Sequence, residues 1–459
     1  MNFKNILRFN GQLTKKFSTK AQIKVIPDEE VIYKIDNKTI KLRDHPGINK
    51  PRAIIIPNAF IKAVVNVTQD QPLNQLIAKS IELNSHLKHK NPPLEHEELK
   101  MIARKTQNKV LSQCQNIEIN SESDEMRFRQ IVQNKVNDSL RKKVYNWKPV
   151  IYDDFKALVY LIGRSAPEYG VLVRIFSEIH RRDQEFKPRS FFDFGSGVGT
   201  ALWAANTFWN QHIFEYFNVD SSPSMNDLSQ ILLQGGRGNS ASLIKGIFYR
   251  QFLPANNTSY DLVVSAYSLM ELPSQEARLK TILNLWNKTE KYLVLVEQGT
   301  NAGFKVINEA RDFILQIDTE SSKGHVFAPC PHDLICPRYT LNDGTPCNFE
   351  VTYFSLPISG AASAAKKELF SYVVLKKGKK DECDPQWPRV VRSPLIRSKH
   401  TICRMCTSEG KLSEVIFTAS KHGKTTYQCA RATSWGDLVP IKLQTIDADN
   451  NVEDINKID

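Results

Sequence analysis

Ser190-Phe-Phe-Asp-Phe-Gly-Ser-Gly-Val-Gly-Thr200 is the stretch that decides the fold. Its apolar run (Phe191, Phe192, Phe194) gives way to Gly195, Gly197 and Gly199 at alternate positions, and the helix-forming Ala201-Leu-Trp-Ala-Ala205 follows. Strand, glycine turn, helix is the order that sets backbone N–H groups and a helix N-terminus against a ligand. Spaced glycines alone fit a plain strand-to-helix turn equally well, so the neighbouring residues decide. Asp193 closes the strand just before the glycines. Asp220 closes a second apolar strand, Phe214-Glu-Tyr-Phe-Asn-Val-Asp220, where a ribose hydroxyl pair would need an acceptor.

Outward from this stretch, strands and helices alternate. The pattern predicts helix 200–208, strand 214–219, helix 222–234 and strand 243–248. It continues with strand Tyr260-Asp-Leu-Val-Val-Ser265, helix 274–287, strand Tyr292-Leu-Val-Leu-Val296 and helix 300–316. Such alternation means an α/β fold, a parallel sheet with helices on both faces, whose ligands sit at the carboxyl ends of the strands. That edge carries Asp193, Asp220, Ser265 and Glu297. A dinucleotide site would more usually read Gly-x-Gly-x-x-Gly. Asp193-x-Gly195-x-Gly197-x-Gly199 with Asp220 instead resembles the S-adenosylmethionine site of class I, Rossmann-like methyltransferases.

The chain has 459 residues, 41% of them hydrophobic and 24% charged, which is room for several domains and ordinary for a globular protein. No apolar run approaches the roughly 20 residues that span a bilayer, so no membrane partner is expected. A net charge of +13 favours an anionic partner such as nucleic acid, with solvated lysines as the bland alternative. Residues 1–20 hold Lys4, Arg8, Lys15, Lys16 and Lys20 and no acid, with Phe3, Ile6, Leu7 and Phe9 able to share a helical face. A basic, acid-free amphipathic start without a long apolar core reads as a mitochondrial presequence, hence a matrix protein. Five segments follow: presequence 1–20, a mainly helical region 21–185, the Rossmann-like core 186–317, cluster loops and a β-rich, cysteine-containing extension 318–442, and a disordered tail 443–459. Arg141-Lys-Lys143 and Arg181-Arg182 read as solvated faces. Lys376-Lys-Gly-Lys-Lys380 is the densest basic run, equally a phosphate contact or a solvated loop.

The eight cysteines are Cys114, Cys330, Cys336, Cys347, Cys383, Cys403, Cys406 and Cys429. They are too few and too clustered for a disulfide scaffold in a chain this long. Cys330, Cys336 and Cys347 fall at irregular gaps among Pro329, Pro331, Pro337 and Pro346, with Cys403-x-x-Cys406 further on. Regular Cys-x-x-Cys pairs would mean a zinc ribbon, whereas these gaps suggest stiffened loops around a larger object such as a four-cysteine iron–sulfur cluster. Buried free cysteines are the alternative. Cys114, Cys383 and Cys429 read as singletons. At the end of the fourth core strand, Ser265-Ala-Tyr-Ser-Leu-Met-Glu-Leu272 lacks both the Asn/Asp-Pro-Pro-aromatic tetrad of amine-directed enzymes and a Pro-Cys nucleophile. No residue set there reads as catalytic.

Several stretches together resemble the methyltransferase-like protein 17 family of mitochondrial small-ribosomal-subunit-associated methyltransferase-like proteins. They are Tyr160-Leu-Ile-Gly-Arg-Ser-Ala-Pro-Glu-Tyr-Gly170, Asp193–Thr200, Ser265–Leu272 and Val296-Glu-Gln-Gly-Thr300. Phe327-Ala-Pro-Cys-Pro-His332 with Cys336-Pro337, Cys347-Asn-Phe349, Cys406-Thr-Ser-Glu-Gly410 and Ser434-Trp-Gly-Asp437 complete the set. The match runs in order from about 150 to 442. The resemblance implies a mitochondrial factor that binds the small ribosomal subunit, its rRNA and ribosomal proteins, during assembly. It also implies a 4Fe-4S cluster on Cys330, Cys336, Cys347 and Cys406, an S-adenosylmethionine-type pocket, and loss of transfer activity in the animal branch. Cys406 is preferred to Cys403 because it directly precedes the Thr-Ser-Glu-Gly turn. A monomer is expected. An active S-adenosylmethionine-dependent rRNA methyltransferase and a zinc-stabilised small-molecule methyltransferase are the competing functions.

Overall fold

Phe191 and Phe192 are consecutive, fully buried, and belong to two different apolar cores. Alternate side chains of a strand point to opposite faces, so the strand they share must be covered on both sides. The computed structural model describes residues 22–446 except 50, 52, 114–120, 144–146, 256–257, 318–322, 359–362 and 382–383. The presequence, Cys114, Cys383 and most of the expected tail lie outside the described residues.

Strand β1 (Gln22–Pro27) and helix α1 (Glu29–Asp36) open the fold, followed by α2 (Asn58–Thr68) and α3 (Leu73–His89). Helices α4 (His96–Gln113) and α5 (Glu122–Lys143) pack on each other around a small core of their own, Val110, Val132 and Val136. Helix α6 (Asp154–Arg182) is capped by Asp153, whose side chain accepts from the Lys156 N–H, and carries basic residues in its last turn. It contains Pro167 and is buried along most of its length.

The core then alternates β2 (Ser190–Phe194), α7 (Thr200–Trp209), β3 (Glu215–Val219), α8 (Pro223–Leu233), β4 (Ile247–Arg250) and β5 (Tyr260–Ala266). After β5 come α9 (Gln275–Asn287), β6 (Thr289–Gln298), α10 (Asn301–Leu315), β7 (Gly324–Ala328), α11 (Pro337–Leu341), β8 (Phe349–Phe354) and β9 (Ala365–Lys377). The sheet order is β4-β3-β2-β5-β6-β9-β7. Strands β2 to β6 pair in parallel, and the late β9 inserts antiparallel between β6 and β7. Strand β8 forms a hairpin with the first half of β9. This is the class I methyltransferase arrangement. The strand order reverses between β2 and β5, which opens the crevice where such sheets bind ligands. Helices α2, α6, α7 and α8 cover one face, and α9 and α10 cover the other.

The remaining chain forms β10 (Arg389–Val390), β11 (Leu395–Ile396), β12 (Thr401–Cys406), β13 (Leu412–Phe417), α12 (Ala419–His422), α13 (Lys424–Ala432) and β14 (Ile441–Ile446). Strands β10 to β13 make a second antiparallel sheet around β12. One boundary differs from the sequence reading. Strand β1, among the β-like runs expected at 21–57 ahead of the helices, pairs antiparallel with β14, Val25 opposite Leu443. Residues 443–446 are therefore strand, not disordered tail, because a distant partner satisfies their backbone.

Candidate functional site

Gly195, Gly197 and Gly199 all have positive φ, +71°, +51° and +81°, the left-handed region that favours glycine. At Gly195 the close approach is to the protein itself: a Cβ there would lie 2.4 Å from Ser268 Cβ. The loop after β2 is thus pressed against the loop after β5. The two loops frame a cavity of about 450 Å³ at the carboxyl ends of β2, β3 and β5, the expected edge.

Asp220, just past β3, lines this cavity. Its Oδ2 accepts from the Gly197 N–H at 2.8 Å and its Oδ1 from the Ser222 N–H at 2.9 Å. Burial raises its pKa, and those two N–H groups act against the rise. A carboxylate has about four lone-pair sites, so acceptor capacity remains for a ligand. Asp193 is fully buried behind the glycines. Burial first, then the nearby Asp220 and Glu168 charges, push its pKa well above the carboxylate range. Glu297, next to last in β6, lies in the cavity wall and accepts from the Met270 N–H at 3.2 Å; burial pushes its pKa up to about 8. Ser265 Oγ bonds Ser268 Oγ at 2.6 Å beneath the floor.

Glycine-motif reasoning misses the contribution of α6. Tyr160, Arg164 and Glu168 recur four residues apart, one helical face, and all three line the cavity. Glu168 Oε1 accepts from the Tyr160 hydroxyl at 2.5 Å and from Arg164 Nε at 3.1 Å. The spacing was readable in the motif 160–170, but nothing in it says that the face is turned to the glycines.

The loop after β5, where a methyl acceptor would be held, is engaged by the chain itself. Trp147 Nε1 donates to Met270 O at 3.0 Å, and the Val150 N–H to Glu271 Oε2 at 3.1 Å. Lys90, almost fully buried, ion-pairs with Glu271. Leu87, Lys90, Pro149 and Val150 complete this wall.

A second, smaller cavity is lined by Cys330, Cys336, Cys347 and Cys406, which the fold brings together from four separate loops and strand ends. Cys330 follows β7, Cys336 caps α11, Cys347 precedes β8 and Cys406 ends β12. Arg338, Arg389 and Arg392 line it too. Burial, then the neighbouring Cys330, pushes the Cys336 thiol up to about 11, while the N–H groups of Tyr339 and Arg338 act in the other direction. His332 Nε2 lies 3.3 Å from Cys406 Sγ. Cys403, three residues earlier on β12, points to the opposite face, where its Sγ contacts Ala430 O at 3.7 Å within an apolar core. Cys429 is buried on α13. Among the described residues no group of three or more His, Cys, Asp or Glu is placed to hold a single metal ion. Four thiols beside guanidinium groups are of the donor chemistry that an anionic iron–sulfur cluster takes.

Two basic runs read from the sequence are half-buried and largely engaged by the chain itself. Lys376 pairs with Asp183 at 2.7 Å, Lys377 lies 4.6 Å over the Trp286 ring, and Lys380 Nζ donates to Pro331 O at 3.0 Å. Only Lys379 of that run is exposed and without such a contact among the described residues. Arg182, read as part of a solvated face, binds Glu178, Asp384 and Phe327 O.

The family model described as mitochondrial small ribosomal subunit Rsm22 matches residues 154–440. The human "Ribosome assembly protein METTL17, mitochondrial" is 36% identical over 420 residues, covering 89% of each chain. "Rsm22-cox11 tandem protein 2, mitochondrial" of Schizosaccharomyces pombe is 28% identical over 345 residues, and the chain spans 44% of that relative's length. Among solved structures, a putative RNA methyltransferase from Pyrococcus horikoshii is 12% identical with a TM-score of 0.28, covering 46% of this chain and 82% of that one.

Proposed function

The chain belongs to the Rsm22 family of mitochondrial small ribosomal subunit proteins, and from that membership we propose that it is a matrix factor for assembly of the mitochondrial small ribosomal subunit. It binds the subunit's rRNA and proteins, keeps an S-adenosylmethionine-type pocket, and does not transfer methyl groups. One observation carries the last clause. The loop Met270–Glu271, at the strand end where an acceptor would sit, is held by Trp147, Val150 and Lys90 of the same chain. The pocket is formed by Asp220, Gly195 and Gly197, with Asp193 behind them and Gly199 turning the chain into α7.

Cys330, Cys336, Cys347 and Cys406 would hold a 4Fe-4S cluster. It would supply a cross-link between the β7–β8 loops and β12 and couple metal binding to folding of that region. The test of the assembly reading is sedimentation of the anaerobically purified protein with mitochondrial small subunits. Co-sedimentation that weakens steeply with salt is expected for a partner held through phosphates, and absence of any association refutes it. The second reading, an active rRNA methyltransferase, is favoured by the intact glycine–acid pocket. Labelled methyl groups transferred from S-adenosylmethionine to small-subunit RNA would establish it.

A further inference from the structure

Tyr267 stands in the cavity wall with φ +59°, a left-handed conformation that is strained for an aromatic residue and persists only where its surroundings impose it. Its N–H is bound to Val296 O at 2.8 Å, and its ring lies 5.0 Å beneath the Arg164 guanidinium. Arg164 spends Nε on Glu168 at 3.1 Å and Nη1 on Glu368 at 2.9 Å. Its Nη2 and the Tyr267 hydroxyl are both buried and have no hydrogen-bond partner among the described residues. Each such orphan costs about 1–3 kcal/mol, and folded proteins keep few of them. Two adjacent orphan donors on one cavity wall therefore call for an acceptor that arrives with the ligand. Both groups keep their protons: arginine does so in any protein, and burial drives the tyrosine hydroxyl well above its usual range.

The other charged residues of the wall are the acids Glu168, Asp220, Glu271 and Glu297 and one further cation, Lys90, which is already taken by its ion pair with Glu271. Such a wall suits the sulfonium and the ammonium group of S-adenosylmethionine and would repel the carboxylate anywhere but at this pair. We propose that Arg164 and Tyr267 form a carboxylate subsite that holds the amino-acid end of the ligand, with Glu168 and Glu368 fixing the arginine. The subsite rests on reading the cavity as an S-adenosylmethionine-type pocket.

The test compares S-adenosylmethionine with its decarboxylated form, two molecules that differ at the carboxylate alone, by calorimetry on the full chain. The parent protein should bind the decarboxylated form about tenfold or more weakly, the scale of a lost charge-assisted hydrogen bond. Tyr267→Phe should narrow that gap severalfold with its melting temperature kept, and Arg164→Met should close it. If Arg164→Met fails to fold, the ligand comparison and Tyr267→Phe still decide. Equal affinities in the parent would overturn the subsite and leave the pocket standing. An unchanged gap in Tyr267→Phe would overturn the pair as the carboxylate holder. Binding of neither ligand would overturn the pocket reading, and the subsite with it.

Discussion

Glu178 and Arg389 lie 211 residues apart in the chain and meet in a buried two-point ion pair. Arg389 Nη2 donates to Glu178 Oε1 at 2.6 Å and Nη1 to Oε2 at 3.2 Å, with both side chains 2% exposed. Burial alone would raise the Glu178 pKa, but Arg389 and Arg182 outweigh it and hold the carboxyl well below its ordinary range. Arg389 Nε also donates to Pro329 O at 2.8 Å, beside Cys330. One side chain thus ties α6, the second sheet and a cysteine loop together.

Glu178→Gln should cost about 3–5 kcal/mol, because a buried guanidinium would lose its counter-charge. Urea unfolding followed by circular dichroism checks this. A loss near that of an exposed pair, about 0–1 kcal/mol, would mean that solvent reaches the site.

Asp220→Ala should weaken S-adenosylmethionine binding by about 1–3 kcal/mol, the scale of hydrogen bonds to a charged acceptor. It also strips an acceptor from the Gly197 and Ser222 N–H groups, so stability should fall in parallel. Calorimetry and a melting curve on the same preparation separate the two effects.

Cys330→Ser, Cys336→Ser, Cys347→Ser and Cys406→Ser should each lower the iron content of anaerobically purified protein and expose the β10–β13 sheet to protease. Cys403→Ser and Cys429→Ser should retain parental iron, since both sulfurs are buried away from the cavity. Zinc in place of iron and sulfide would replace the cluster with a structural zinc site. Loss of iron in Cys403→Ser but not in Cys406→Ser would move the fourth ligand.

Glu297 gives a pH dependence with a definite sign. Burial pushes its folded pKa up to about 8 from an ordinary 4.5, so the neutral acid is the form that the fold favours. Its contribution to stability is complete below about pH 4.5 and declines as pH rises toward 8, by up to about 1.4 kcal/mol per unit in that window. Glu297→Gln can keep the acceptor for the Met270 N–H and removes the titration. Melting temperatures of parent and variant should coincide near pH 5 and diverge by pH 8 in favour of the variant. Parallel curves across that range would show that Glu297 does not titrate there.

The β/α alternation from Ser190 to Leu315 was readable because each strand is a short apolar run and each helix a periodic one, with ends within a few residues of those observed. The glycine loop and Asp220 were readable for the same local reason. What escaped depends on partners far along the chain. β9 shows β-like character by itself, but nothing in it says that it will insert antiparallel between β6 and β7. Lys376 and Lys380 look like a surface patch until Asp183 and Pro331 O are seen beside them. The i, i+4 spacing of Tyr160, Arg164 and Glu168 is visible as a stripe, while its place in the cavity wall needs the tertiary placement of α6. Cys406 and Cys403 lie on opposite faces of β12, Cys406 toward the cavity lined by Cys330, Cys336 and Cys347 and Cys403 toward an apolar core, a parity that no reading of the turn alone supplies.

The pairing of β1 with β14 makes the order of synthesis matter. Strand β1 is among the first described residues to be made, and its partner comes more than 400 residues later. In a chain delivered N-terminus first, the first strand waits for nearly all of the described residues with its pairing edge unsatisfied. The closing step of folding is then a long-range one, slow and open to wrong partners. A nascent chain stalled anywhere before Ile441 would present β1 to chaperones as an unpaired edge, so release from them would report that the whole chain had arrived.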